Sequence, residues 1–215
     1  MKLVVFDLDG TLVDSRRDLA DSANALLVES GAEPLTEEAI GRMVGDGAAV
    51  LVSRVFEAVG RERPPDALER FLVHYDRRLL AHTRPYPNIP EVLAALERRV
   101  ALAVLTNKPL DATRRVLAGL DLARFFPQDF VLGGDGPFPR KPDPAGLLHL
   151  IALAGVTPAD TALVGDSAID WRTARAASTR VYLVRYGFGF DGVPIDRVQA
   201  DEHIIDRPEQ LLERP

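Results

Sequence analysis

Cysteine is absent from the 215 residues, tryptophan occurs once and methionine twice. Without a thiol there is no disulfide framework, no cysteine nucleophile and no thiolate zinc site, a usage that agrees with a reducing, cytoplasmic compartment. Long apolar runs are missing as well. The first, Leu3 to Phe6, meets Asp7 far too early for a signal segment or a membrane span, so no membrane partner is expected. Positive charge is in deficit: 26 lysines and arginines against 32 aspartates and glutamates leave a net charge of −6, with no basic stripe interleaved with aromatics. Such a chain repels a polyanion, which argues against a nucleic-acid partner and leaves any bound phosphate to local charges. Internal repeats and low-complexity tracts are also lacking. What remains is an ordinary globular mix, 47% hydrophobic and 27% charged, long enough for one large domain or a core domain with a smaller insertion.

The chain opens on Val4 Val5 Phe6 Asp7 Leu8 Asp9 Gly10 Thr11. Met1 to Phe6 has the β-branched, apolar content of a buried parallel strand, and Gly10 and Thr11 break it. Side chains alternate along a strand, so Asp7 and Asp9 leave its carboxyl end on one side, with Leu8 turned away. Ligands of open α/β sheets bind at that edge. Neighbouring carboxylates repel unless a cation lies between them or one is protonated, so the pair points to a bound cation, an acid/base pair, or both. A plain Asp/Gly turn after a strand is the structural alternative.

From Ser15 to about Thr83 the spacing is helical, with Leu19, Ala23, Leu26 and Leu27 on one face and Gly31 at a stop. Thr36 reads as a fresh N-cap, a further helix starts near Gly47, and Pro64 Pro65 Asp66 opens a longer one through Phe71 and Tyr75. No strand pattern occurs there, and the proline-dense loop Arg84 to Pro90 leads back to α/β alternation. Strands are expected over Val100 to Leu105, Phe130 to Leu132, Ala162 to Val164, Val181 to Val184 and Ile204 Ile205, with helices between them. The fold class is therefore α/β, a doubly wound parallel sheet with a Rossmann-like core over 1–14 and 84–215 and an inserted α-helical cap domain over 15–83.

Three strand ends carry polar groups: Asp7 and Asp9, then Thr106, then Asp166 with Asp170, while Lys141 stands in a loop before a helix. Together they are complete for phosphoryl transfer, with hard oxygen ligands suited to Mg²⁺, a carboxylate nucleophile, a neighbouring acid/base, and a hydroxyl and an ammonium for phosphate oxygens. Singly, Thr106 is a strand-end hydroxyl bonding to backbone, Lys141 a surface lysine, and Asp166 and Asp170 a helix cap and its neighbour. Their order and placement favour the joint reading.

Four stretches, Asp7 Leu8 Asp9 Gly10 Thr11, Leu105 Thr106 Asn107, Lys141 Pro142 Asp143 Pro144, and Gly165 Asp166 Ser167 with Asp170, make the sequence resemble the haloacid dehalogenase superfamily, in particular its phosphatases with a helical cap. The run Thr106 Asn107 Lys108 Pro109, the Lys141 Pro142 run and the cap segment Val44 Gly45 Asp46 Gly47 Ala48 are similar to its phosphoglycolate phosphatase branch. The resemblance implies that Asp7 forms an aspartyl-phosphate and Asp9 protonates the leaving alcohol and activates water. It implies that Gly10, Thr106, Asn107 and Lys141 surround the phosphate. It implies Mg²⁺ held by the Asp7 carboxylate, the Asp9 carbonyl and Asp166, with Asp170 orienting the site. Trp171 after Asp170, and Ser178 where relatives have glycine, depart from the pattern and put the packing there in question.

The expected partner is a small phosphate ester, acted on by a monomer or homodimer. In the cap, Gly45 Asp46 Gly47 form a turn at a helix N-terminus whose N–H groups face an anion such as a carboxylate, and Arg54 adds charge from two turns along. With the resemblance this favours 2-phosphoglycolate; the alternative is a mere joint between helices and a solvated Arg54. Rival functions are a sugar phosphomutase on the same core, a dehalogenase, which has no use for an acid at Asp9, and a silent phosphate-binding regulator, which would have lost a motif carboxylate.

Overall fold

The computed structural model describes residues 1–200 and 202–213. Six parallel strands form the main sheet: β1 (Leu3–Phe6), β4 (Ala101–Leu105), β5 (Val131–Leu132), β6 (Thr161–Gly165), β7 (Arg180–Val184) and β8 (His203–Ile205), in the order β5-β4-β1-β6-β7-β8. A short antiparallel ribbon, β2 (Val13–Asp14) with β3 (Arg84–Pro85), stands apart from it. The order reverses direction at β1, where β4 lies on one side and β6 on the other, so the crevice for a ligand falls beyond the carboxyl ends of these strands. Register aligns them: Phe6 pairs with Val104 and with Val164, which brings Asp7 level with the last residues of both neighbours.

Alternation along β1 divides the core. Val4 and Phe6 face one apolar cluster, with α5 (Ile89–Leu96) and α6 (Leu110–Gly119), while Leu3 and Val5 face another with α7 (Ala145–Leu153) and α8 (Ala168–Ala176). All four side chains are completely buried, which is why the strand reads as an unbroken apolar run. Helices α1 (Arg16–Glu29), α2 (Glu37–Gly41), α3 (Ala48–Ala58) and α4 (Ala67–Arg78) lie between β2 and β3, and their apolar faces continue the first cluster. Leu19, Ala23, Leu26 and Leu27 of α1, Leu51 and Val55 of α3, and Phe71 and Tyr75 of α4 are buried there at helical spacing. Thr36 caps α2, its hydroxyl accepting from Ala39 N–H at 3.1 Å.

The chain leaves and re-enters this four-helix segment beside a single buried carboxylate. Asp18 accepts hydrogen bonds from His82 N–H, Thr83 N–H at 2.8 Å and the Thr83 hydroxyl at 2.7 Å, and contacts the His82 ring. Burial pushes the Asp18 carboxyl up, but these bonds outweigh it and hold it below the usual carboxylate range. The ribbon β2–β3 escapes a periodicity search because two-residue strands carry no alternation and Pro85 argues against a strand. Pro109 precedes α6 as its N-cap. Among the described residues, no helix is long and apolar enough to cross a membrane.

Trp171 and Ser178 both find a place. The Trp171 ring is buried in the second cluster and its Nε1 donates to Glu202 at 3.0 Å, while Ser178 has φ 57°, the left-handed geometry in which glycine is at ease.

Candidate active site

Strand ends β1, β4 and β6 converge on one buried group of charges. Asp7 follows β1, its N–H donating to Val164 O at 2.9 Å, and Thr106 follows β4, its N–H donating to Leu132 O at 3.0 Å. Lys141 reaches Asp7 Oδ1 at 2.9 Å and Asp170 Oδ1 at 2.6 Å. Asp170 also closes a capping box at the start of α8, its Oδ2 accepting from the Ser167 hydroxyl at 2.6 Å and from Ser167 N–H. Asp166 follows β6 and accepts from Gly189 N–H at 2.7 Å. Oxygens of Asp7, Asp166 and Asp170 all lie within 4.8 Å of one another.

Such crowding shows in the acidities. Burial pushes Asp7 up to about 6, with Lys141 pulling the other way and Asp170 and Asp9 adding to the rise. Burial, then Asp170 and Asp7, push Asp166 well above its ordinary value. Burial alone would lower Lys141, yet Asp170 and Asp7 together raise it, so its charge is secure. Three buried carboxylates against one ammonium leave negative charge in excess. The all-oxygen donor set fits a hard divalent cation such as Mg²⁺. Asp170, expected only to orient the site, has an oxygen inside this group. The side chain of Asp9, expected to contribute its carbonyl, lies outside it.

Asp9 belongs to a second arrangement. Both its oxygens accept from Lys108 Nζ at 2.9 Å, and Oδ1 also accepts from the Ser15 hydroxyl at 2.6 Å. Ser15 occupies the N-cap position of α1 but makes no side-chain capping bond, because its hydroxyl is turned to Asp9. Lys108 donates also to the Tyr75 hydroxyl of α4 and lies 4.6 Å from that ring's centre. Ser15, Tyr75 and the role of Lys108 all escape sequence reasoning. Ser15 looks like a cap and Tyr75 like one more residue of a buried stripe.

Between the strand ends and the helices lies a cavity of about 230 Å³. Asp7, Asp9, Thr106 and Lys108 reach it from the sheet side; Val44, Ala48, Leu51, Phe71, Leu72 and Leu79 make its opposite wall. Lys141, Asp166 and Asp170 are beneath, against Asp7 rather than on the cavity surface. Thr106 Oγ1 accepts from Lys108 N–H at 3.2 Å, which leaves its own hydrogen to donate.

Gly10 and Arg54 depart from their expected contacts, while Asn107 lines the cavity with its side chain engaged elsewhere. Gly10 gives its N–H to Val13 O at 2.9 Å, so it has no donor for phosphate; with φ 86° and Asp166 carboxylate where a Cβ would stand, its part is to let Asp166 approach. The Asn107 side chain is a strut: Nδ2 donates to Gly45 O at 2.9 Å and Lys141 O at 3.0 Å, and Oδ1 accepts from Lys141 N–H at 2.9 Å. Gly45 and Gly47 do line the cavity, but Arg54 does not. Its guanidinium pairs with Asp46 at 2.6 Å and donates to Met43 O at 2.8 Å, because the turn before α3 presents its own anion and carbonyl to that face.

A family model described as haloacid dehalogenase-like hydrolase matches residues 4–184. This chain belongs to that family. A phosphoglycolate phosphatase of Rhodospirillum rubrum is 44% identical over 201 residues, covering 89% of this chain and 83% of the relative. Phosphoglycolate phosphatase 1 of Pseudomonas aeruginosa is 37% identical, covering 98% and 78%. Among solved structures, a predicted phosphoglycolate phosphatase from Haemophilus somnus superposes with TM-score 0.91 at 31% identity, covering 99% of this chain and 97% of the other. The matched region includes Asp7, Asp9, Thr106, Lys141, Asp166 and Asp170, so family membership and site geometry refer to the same part of the molecule.

Proposed function

We propose that this chain is a Mg²⁺-dependent phosphoric monoester hydrolase whose substrate is 2-phosphoglycolate and whose reaction runs through an aspartyl-phosphate on Asp7. The observation that carries the reading is the pair Asp7 and Asp9, both lining one cavity and each joined to its own buried lysine. Lys141 holds Asp7 ionised for attack on phosphorus; the bond from phosphorus to the ester oxygen breaks, and Asp9 gives a proton to the departing alcohol. In the second half Asp9 takes a proton from water, the water oxygen bonds to phosphorus, and the acyl phosphate opens to inorganic phosphate and free Asp7. Thr106 donates its hydroxyl hydrogen to a transferring oxygen. Asp7, Asp166 and Asp170 would hold Mg²⁺, which when bound offsets the negative charge of the phosphate and the carboxylates.

Residues 15–83 act as the cap that keeps bulk water from this chemistry. The cavity is smaller than those that hold drug-sized ligands, which favours a small ester. The names of the relatives support phosphoglycolate among such esters. The test is release of inorganic phosphate from a panel of phosphomonoesters, with and without Mg²⁺. Hydrolysis requiring Mg²⁺ and fastest on 2-phosphoglycolate is expected. Phosphoryl return to a sugar phosphate without free phosphate would replace this reading with a mutase.

A further inference from the structure

We propose that Lys108, steadied by Tyr75, is the residue that recognises a second anionic group on the substrate, a carboxylate close to the ester oxygen, and so sets selectivity among small phosphate esters. This rests on the phosphatase reading above and names the part of the site that chooses the leaving group.

Charge placement carries the inference. Among the described residues that line the cavity, only Lys108 and Arg115 are cationic. Arg115 is half exposed and already paired with Asp76 and Asp111. The Lys108 side chain is 3% exposed, so its ammonium acts where water screens little. The helical wall opposite is apolar apart from Tyr75 and Asp76; of the two cations beside the cap turn, Arg54 faces Asp46 and Arg140 donates to Gly134 O, and neither lines the cavity. An anionic tail in this cavity therefore has one buried cation to meet.

Geometry agrees. Asp9 is the proton donor to the ester oxygen in the proposed reaction, so that oxygen lies beside Asp9. Lys108 Nζ is 2.9 Å from both Asp9 oxygens. A carboxylate one carbon away from the ester oxygen comes within reach of the same ammonium. One of the two Lys108 bonds to Asp9 passes to the substrate, while the other keeps the lysine in place. Tyr75 supplies the remaining partner from α4, with its hydroxyl accepting from Nζ and its ring packed on the ammonium. Lys141 cannot serve this purpose, because it is committed to Asp7 and Asp170 below the cavity. Tyr75 is thus a positioning residue, and its effect should fall on binding of the carboxylated ester.

The experiment compares kcat/KM for 2-phosphoglycolate and for ethyl phosphate, which lacks the carboxylate, in wild type, Lys108→Met, Lys108→Arg and Tyr75→Phe. Wild type should prefer 2-phosphoglycolate. Lys108→Met disturbs Asp9 and slows both esters, but the carboxylated one should lose roughly 10- to 100-fold more, the range of a charge-assisted hydrogen bond. Lys108→Arg should keep most of the preference. Tyr75→Phe should raise KM for 2-phosphoglycolate with little change in kcat. If Lys108→Met fails to melt cooperatively, Lys108→Gln gives the same comparison with a neutral donor. An equal loss on both esters overturns the role of Lys108 and leaves the proposed function standing. A wild type without preference overturns both this inference and the choice of substrate, and leaves a general phosphomonoesterase.

Discussion

Lys141 and Lys108 are both buried, both paired with an aspartate of the β1 turn, and held in different ways. Lys141 is enclosed by the sheet-side structure alone, between Asp7 and Asp170, with its own backbone bound to Asn107. Lys108 is held half by the turn and half by Tyr75 of α4, so it has the intended geometry only while the helices stand over the strand ends. The lesson is a division of labour. A group fixed by the sheet can treat every phosphate alike, whereas one completed by the helical segment can respond to what else the ester carries.

The largest expected effect is on the Lys141 side. Asp7→Asn keeps the shape but removes the nucleophile, so phosphate release should fall by roughly 10⁴-fold or more. Its stability should move the other way. In the folded, metal-free protein Asp7 is pushed up to about 6, chiefly by burial, with Lys141 opposing. A carboxyl whose folded value lies above its unfolded one binds its proton more tightly when folded, so ionisation destabilises the fold as pH rises from about 4 towards 6 and the loss is complete above that. Asp7→Asn should therefore melt above wild type at pH 8 in chelator, with the gap closing near pH 4. A variant that melts lower at both would contradict the crowding of charge described here.

Chelation tests the same side from the ligand's direction. Removal of divalent ions should stop phosphate release and added Mg²⁺ should restore it, with a rise in Tm that Asp166→Asn no longer shows. Undiminished turnover after exhaustive chelation would sink the carboxylate group as a metal site.

On the helical side the effects are smaller and fall on stability and binding. Asp18→Asn removes a buried carboxylate that joins α1 to the returning chain at His82 and Thr83, and should cost about 2–4 kcal/mol at pH 7. Because Asp18 is held below the usual carboxylate range, its contribution is present above pH ~4 and is lost as pH falls through its folded value, so the difference from wild type should shrink in acid. Denaturant melts at two pH values check this. Gly47→Ala is the mildest. Gly47 has φ 92°, and a Cβ would stand 3.2 Å from Asn107 O and from the Arg140 guanidinium, so about 1 kcal/mol of strain and a raised KM are expected, with kcat less affected.

The same contrast governs what could be read from the sequence. Strand β1 was legible because both its faces are buried, and Asp7, Asp9, Thr106 and Asp166 were legible as strand-end groups because a parallel sheet brings such ends to one edge. Helices α1, α3 and α4 were legible from spacing, with Gly47 at a start. Partners were not. A helical pattern assigns Arg54 a face but not Asp46 as its counter-ion, and Tyr75 to a buried stripe but not to Lys108. Ser15 was hidden by its position, since a serine before a helix looks like a cap. Asn107 was placed beside phosphate, yet its amide is taken up by two backbone carbonyls and one N–H that lie 34 to 62 residues away in the chain.

The central claim is that Asp7 carries the phosphoryl group. Acid quenching within a single turnover of radiolabelled 2-phosphoglycolate tests it most directly. The account predicts label on the peptide containing Asp7, appearing before inorganic phosphate and decaying into it, and no label in Asp7→Asn. Phosphate released at the full rate from wild type with no labelled protein at any time would contradict it.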